Sequence, residues 1–440
     1  MSKPLSLSKI TAHLKESWQN LPDFRKPNNN MRYTIADAAL SAFSVFFMQS
    51  SSFLAHQREM RQRKRNDNGR TLFGIEQMPS DNQLRNLLDP VTPVHFHEDY
   101  EWVIDELEKA GHLAPFRCYQ GTYLIALDGL TYHSSTKIHC PNCSQRKDNQ
   151  GTVHYYHSAI APVMVKPGSP HVLPLPPEFI VPQDGHEKQD CERAAAKRWF
   201  GQHNHRYAPG SVTYLGDDLY DNEPACRSIV EEYQQFFLFV CKPDSHVALY
   251  RELDLLAKVD GVTTVTERLW NGRYAEIWTY RFAHQVPLRA GADALKVNWC
   301  ELTISHEQTG DTLFRNAWAT NHAISSQTVA ATAEAGRTRW KVENESINVL
   351  KNHGYNLEHN FGHGERHLAT VLFSLNLLAF LIHTAQHLTN DAYRLLRDTL
   401  AVRRTFFNDL KALTRYIVFD SWDALFSFML DGLELSIPPP

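Results

Sequence analysis

Arg339, Glu343 and Lys351 lie in the stretch GRTRWKVENESINVLK, residues 336–351, at spacings that suit one side of a helix. Arg339 and Glu343 are i,i+4 neighbours and project together. Lys351 follows about two turns after Glu343, close to that side. The stretch has no Gly or Pro after Gly336, and Trp340, Ile347 and Leu350 give it a partial apolar face. It therefore reads as one helix with that face buried. A carboxylate flanked by an Arg and a Lys on a buried helix is costly unless something polyanionic or metallic meets it. The combination points to phosphate and metal chemistry.

Such chemistry needs further carboxylates, and two upstream stretches supply them. Residues 122–127 (TYLIAL) read as a short buried strand that delivers Asp128 at its C-terminal end. A turn aspartate is the competing reading, because Asp128 precedes Gly129. Val212–Gly216 reads as a second strand and is followed by Asp217, Asp218 and Asp221. Three carboxylates at one strand end repel one another unless neutralised. Mg²⁺ or Mn²⁺ suits such oxygen ligands, and a solvated acidic turn is the alternative. A third feature is the sequence HCPNC, in which Cys140 and Cys143 have a zinc-ligand or redox spacing. A structural Zn²⁺ site there needs two more ligands, from among His139, His154, His157 and Cys191. Two free thiols at a turn are the other reading.

The elements that must position these residues follow from the hydrophobic pattern. Residues 4–20 read as an amphipathic helix, Pro22 to Asn30 as a loop, and 33–55 as a long apolar core helix. Arg58, Arg61, Arg63, Lys64 and Arg65 form the densest basic run, either a solvated helix end or a phosphate-contacting patch. Residues 79–115 read as further helices, with Ser80 as a cap. Residues 153–165 read as one or two strands, 187–200 as a helix, 225–234 as a helix and 236–240 as a buried strand. Strands alternating with helices, with acids at the strand ends, form an α/β pattern. Residues 259–320 break it: VTTVTERLW, YAEIWTYRF, LKVNWCELTIS and FRNAWATN alternate apolar and polar residues between turns, as antiparallel strands do. Trp270, Trp278, Trp299 and Trp318 fall in this insertion, as core residues or as platforms for an unpaired base. Residues 355–365 form a Gly- and His-containing loop before an apolar helix at 366–386. The chain then stays helical to about residue 428, and residues 438–440 read as a disordered tail.

A chain of 440 residues, 42% hydrophobic and 21% charged, has room for two or three domains and a large core. Its net charge of −4 exerts no global pull on nucleic acid, so any DNA contact must come from local basic patches. Seven scattered cysteines suit a reducing cytoplasm better than a disulfide framework. The N-terminus has no signal-peptide apolar region. Residues 368–382 are strongly apolar but short for a membrane span, and they contain Ser374 and Asn376, so a buried helix is expected.

In order, LDG, GDDLYDN and RWKVENE…LK resemble the prokaryotic insertion-sequence transposases of the DDE class. The blocks HCPNC, HYYH, QDGHEKQDCERAAAKR, DLYDNEP and ENESINVLKNHGYNLEHNFGHGERH resemble one subgroup of them, over roughly residues 120–385. The resemblance implies an α/β, RNase H-like mixed sheet flanked by helices. It implies an N-terminal helical DNA-binding domain (1–117) and a catalytic domain in two parts (118–258 and 321–390, the latter with the Glu helix). A β-rich insertion (259–320) interrupts them, and a C-terminal helical region (391–440) follows. It assigns catalysis and metal binding to Asp128, Asp217 and Glu343, with Asp218 and Glu345 as alternatives. Arg339 and Lys351 would bind DNA phosphates. The family signature Y-x2-R-x3-E-x6-K is departed from twice, since Gly336 stands at the Tyr position and Lys351 is one residue late.

The implied activity is cut-and-paste transposition by phosphoryl transfer with two Mg²⁺ or Mn²⁺ ions about 4 Å apart. Its partners are double-stranded DNA, as terminal repeats and target, and a second copy of the chain on paired ends, with no membrane. Its setting is the nucleoid of a prokaryotic cytoplasm. The insertion resembles that of relatives that form a DNA hairpin. A nuclease without strand transfer and a non-catalytic DNA-binding descendant are the other classes that such residues allow.

Overall fold

The structure, a computed structural model, describes residues 5–26, 31–60, 67–182 and 190–437. Arg61, Arg63, Lys64 and Arg65 of the basic run, Asn28–Asn30, the start of the expected 187–200 helix and the tail 438–440 lie outside the described residues.

The strands, in chain order, are β1 (Arg117–Tyr119), β2 (Thr122–Ala126), β3 (Gly129–Ser135), β4 (Ser144–Lys147), β5 (Val153–Ile160), β6 (Val163–Val165) and β7 (Leu173–Pro174). They continue with β8 (Glu178–Ile180), β9 (Val212–Gly216), β10 (Phe236–Val240), β11 (Thr263–Trp270), β12 (Ala275–Pro287), β13 (Lys296–His306) and β14 (Thr312–Thr320). One mixed sheet runs β11-β12-β13-β14-β10-β9-β2-β6-β7, with β1 beside β2. Its centre is parallel: β9 pairs in parallel with both β2 and β10, while β6 runs antiparallel to β2. Every residue of β2 and β9 is buried, which is why both read as unbroken apolar runs without alternation.

The Glu192–His203 helix covers this centre; its Ala195, Ala196, Trp199 and Phe200 are buried, and Phe200 packs on Tyr214 of β9. A second sheet, β3-β5-β4 with β8 on β5, lies between β2 and that helix in the chain. The 153–165 stretch, read as one or two strands, forms two. Its second half, β6, pairs with β2, and its first half, β5, belongs to the second sheet.

The four alternating segments of residues 259–320 are the antiparallel strands β11 to β14. They do not form a separate layer. β14 pairs with β10, opposite its parallel neighbour β9, so the insertion prolongs the central sheet.

The helices from both ends of the chain share one core. The Leu368–Thr389 helix is the one helix among the described residues long and apolar enough to cross a membrane, and 94% of its most apolar 18-residue stretch is buried inside the protein. It packs against the Ile35–Phe47 helix, every residue of which is buried and whose start is closed by a Thr34–Asp37 capping box. Gln386 Nε2 donates to the Leu5 carbonyl at 2.6 Å, and Tyr100 donates to the Ser374 carbonyl. Asn68 Nδ2 donates to the carbonyls of Thr414 (2.7 Å) and Ile417 (2.8 Å). The N-terminal helices are thus fastened to the C-terminal ones through buried polar groups satisfied in pairs.

Candidate active site

The parallel register of β2 and β9 sets the first two acids level. Ala126 pairs with Leu215, and Asp128 and Asp217 each lie two residues beyond that pair. The Leu127 amide donates to the Leu215 carbonyl at 2.8 Å, holding the strand ends together. Asp128 Oδ1 accepts from the Gly129 amide at 3.0 Å, and Asp217 Oδ1 from the Leu219 amide at 2.9 Å. The outer edge of parallel strands at their carboxyl ends is the usual place for a site in an open sheet.

Glu343 is linked to Asp128 through Arg339. Arg339 bridges the acids: its Nη1 is 3.5 Å from Asp128 Oδ2 and its Nη2 is 2.8 Å from Glu343 Oε1. Burial pushes Asp128 up to about 6; the Arg339 charge opposes this, and Glu343, Glu192 and Asp217 add to it by repulsion. Asp217 and Glu343 therefore both lie within electrostatic reach of Asp128, and Arg339 joins Asp128 to Glu343.

The segment carrying Glu343 is not the single regular helix expected. An α-helix spans Val329–Arg337, a turn follows, Val342–Ile347 is π-helical, and Asn348–Asn352 is α-helical again. Nor is its apolar face as expected: Leu350 is buried, but Trp340 is 44% exposed. The Glu343 side chain is 51% exposed, so its charge faces solvent rather than the core.

Both departures from the signature of the resembled transposases coincide with a local feature of the structure. A Cβ at Gly336 would lie 2.6 Å from the indole of Trp318 on β14, so an aromatic side chain has no room at that position. The late Lys351 meets the π turn, which takes in one extra residue. Eight residues of α-helix turn about 800°, roughly 80° off Glu343; absorbing one restores the seven-residue phase, about 20° short of two turns. Lys351 Nζ pairs with Glu358 Oε1 at 3.0 Å, on the loop that follows.

The alternative acids point elsewhere. Asp218 accepts from the Lys242 amide at 2.7 Å and from the Ser245 hydroxyl, beyond the end of β10. Asp221 is buried beside Cys226 and His246, and burial pushes it up to about 8. Asp218 and Asp221 both approach His246 Nε2, at 3.6 and 3.3 Å, so these two turn together towards His246, whereas Asp217 lies within electrostatic reach of Asp128. Glu345 lies with Lys341 and Trp340 on a cleft walled by residues 167–170, away from the face that carries Glu343.

A fourth carboxyl belongs to the site and escapes a reading of the sequence. Glu192, at the first turn of the Glu192–His203 helix, accepts from the Tyr220 hydroxyl at 2.7 Å. Its Oε2 lies so close to Gly129 that a Cβ there would be 2.3 Å away. Burial raises its pKa, the Tyr220 hydrogen bond opposes that, and Asp217 adds repulsion. An acid in the first turn of a helix is ordinary dipole chemistry, so no local signal marks Glu192. Only the packing of that helix over β2 and β9 does.

Four tryptophans of the insertion separate by burial. Trp299 and Trp318 are buried, Trp278 is half-buried and donates to Glu276 at 2.9 Å, and Trp270 is 66% exposed at the end of β11. Cys140 and Cys143 approach each other at 4.0 Å between their sulfurs. Of the four partners considered from the sequence, His157 alone joins them, its Nε2 at 3.5 and 3.4 Å from the two sulfurs. His139 stacks on Tyr155, His154 pairs with Asp148 at 3.0 Å, and Cys191 is exposed. No family model matches the chain, and no curated protein matches it.

Proposed function

We propose that this protein is a DNA transposase of the DDE class that cuts the ends of an insertion sequence and joins them to target DNA. The observation that carries the reading is Arg339, which contacts both Asp128 and Glu343, residues 215 apart in the chain, beside the strand end that presents Asp217. The sheet supports it. Five strands in the order β7-β6-β2-β9-β10, with β2, β9 and β10 parallel and β6 antiparallel, support an RNase H-like reading of the core.

The donor set fits divalent cations. It is all oxygen, and Glu343, Glu192 and Asp217 each repel a charged Asp128 while the Arg339 guanidinium opposes them, so further positive charge is favoured. Asp128, Asp217 and Glu343 would hold Mg²⁺ or Mn²⁺, and Glu192 lies close enough to repel Asp128 when charged. Such ions, when bound, activate an oxygen nucleophile and stabilise a leaving phosphate-ester oxygen. The remaining work falls to the chain. Arg339 presents its guanidinium where a phosphate next to the cut would lie, with the planar fork suited to two oxygens. Lys351 can exchange the exposed Glu358 carboxylate for a second phosphate, because surface pairs of this kind are weak. Trp270 offers an exposed ring on which an unpaired base can stack.

The reading is tested with DNA carrying the element's own ends. Wild-type protein with Mg²⁺ or Mn²⁺ should release the element and give strand-transfer product, and Asp128→Ala should give neither. Cleavage without joined product would make the protein a nuclease; full cleavage by Asp128→Ala would remove Asp128 from the site.

A further inference from the structure

A second polar cluster lies away from the acids. Cys140 and Cys143 occupy the turn between β3 and β4, His157 is on β5, and His363 is on the loop between the Glu343 segment and the Leu368–Thr389 helix. All four are buried. His363 Nε2 is 3.4 Å from Cys143 Sγ and 3.1 Å from His157 Nε2. With the 4.0 Å between the sulfurs and the 3.5 and 3.4 Å from them to His157, these are edges of a small tetrahedron.

The edge lengths identify what fits the middle. Ligands at about 2.3 Å (sulfur) and about 2.0 Å (nitrogen) from a tetrahedral ion are separated by about 3.3–3.8 Å. The donor set of two thiolates and two imidazoles selects zinc over the hard ions that suit the carboxylate site. The imidazole of His363 is set for the role: its Nδ1 donates to the Gly364 carbonyl at 2.9 Å, which leaves Nε2 with a lone pair aimed at the cluster. The Cys140 amide points at Cys143 Sγ at 3.4 Å, a contact that favours a thiolate.

We propose that Cys140, Cys143, His157 and His363 bind one zinc ion in a closed structural site. Four protein ligands leave no position for water or substrate, so the ion does no chemistry. It joins the second sheet to the loop that leaves the Glu343 segment, a link that Asn142 repeats by donating to the Arg366 carbonyl at 2.8 Å. The site holds one end of the segment that carries the third acid. It does not depend on the transposase reading, since none of its ligands is among the acids.

Zinc content of the full chain, purified under reducing conditions without chelator, is the test. The expected result is one zinc per chain, kept in Asp128→Ala and in His133→Ala, whose ring lies against His363 without joining the cluster. Cys143→Ser and His363→Ala should lose it. If either variant fails to fold, cobalt replacement in the wild-type protein decides, with intense thiolate and tetrahedral bands expected. Wild-type protein that takes up no zinc when supplied with it, that carries a Cys140–Cys143 disulfide instead, or whose His363→Ala variant keeps full zinc would overturn the proposal.

Discussion

Asp128 shows what assembling the acids costs at the level of one residue. Its pKa in the fold, about 6, lies above the ordinary carboxyl value of 3.8, chiefly because the group is buried, so folding favours the protonated form. The stability this lends is complete below about pH 4 and is lost as the pH rises through about 6. At pH 7.5, without divalent ions, the ionised carboxyl is a burden on the fold. Asp128→Asn, which removes the charge and keeps the shape, should therefore raise unfolding free energy by about 1 kcal/mol in chelator. The same change should abolish cleavage. Denaturant melts and a cleavage assay on one preparation check both halves, and a less stable Asp128→Asn would mean that Arg339 outweighs burial and the three acids together. Such opposition between stability and activity is expected where like charges are gathered for a ligand.

At the scale of elements, the ends of β1, β9 and β14 are fastened by one imidazole. His322, just past β14, meets Thr213 of β9 at 2.7 Å through Nε2 and Gln120, between β1 and β2, at 3.1 Å through Nδ1, and it stacks on Phe236 of β10. Burial holds its pKa down at about 3 instead of 6.5. The unfolded chain therefore takes up this proton long before the folded one does. Its contribution is intact above about pH 6.5 and falls by up to about 1.4 kcal/mol per pH unit on the way down to about 3. His322→Gln, measured by urea unfolding between pH 4 and 7, should flatten that acid slope while losing stability at pH 7. An unchanged slope would mean that other buried histidines, such as His56, govern it.

The whole molecule divides clearly into what a sequence displays and what only packing creates. Residues 122–127, 212–216 and 236–240 are apolar runs because both faces of those strands are covered, and each appears in the fold as β2, β9 and β10. The alternation in residues 259–320 announces β11 to β14, and Asp128 and Asp217 follow from their places at strand ends. Long-range partners leave no such trace. Glu192 joins the acids because a helix from elsewhere lies over the sheet, and His363 meets Cys143 across 220 residues. The π turn at Val342–Ile347 is equally silent, since its residues would also suit a regular helix. The fusion of the insertion to β10 is set by pairing at the sheet edge, which alternation does not encode.

In the proposed site, Asp128, Asp217 and Glu343 would surround a single place that takes divalent ions. Iron(II) bound there, given ascorbate and peroxide, generates hydroxyl radicals that cut the nearest backbone. The account predicts cuts grouped near residues 128, 217 and 343, suppressed by excess Mg²⁺ and absent in Asp217→Asn. Cuts spread without regard to these positions, or a cut near 128 and 217 with none near 343, would contradict it.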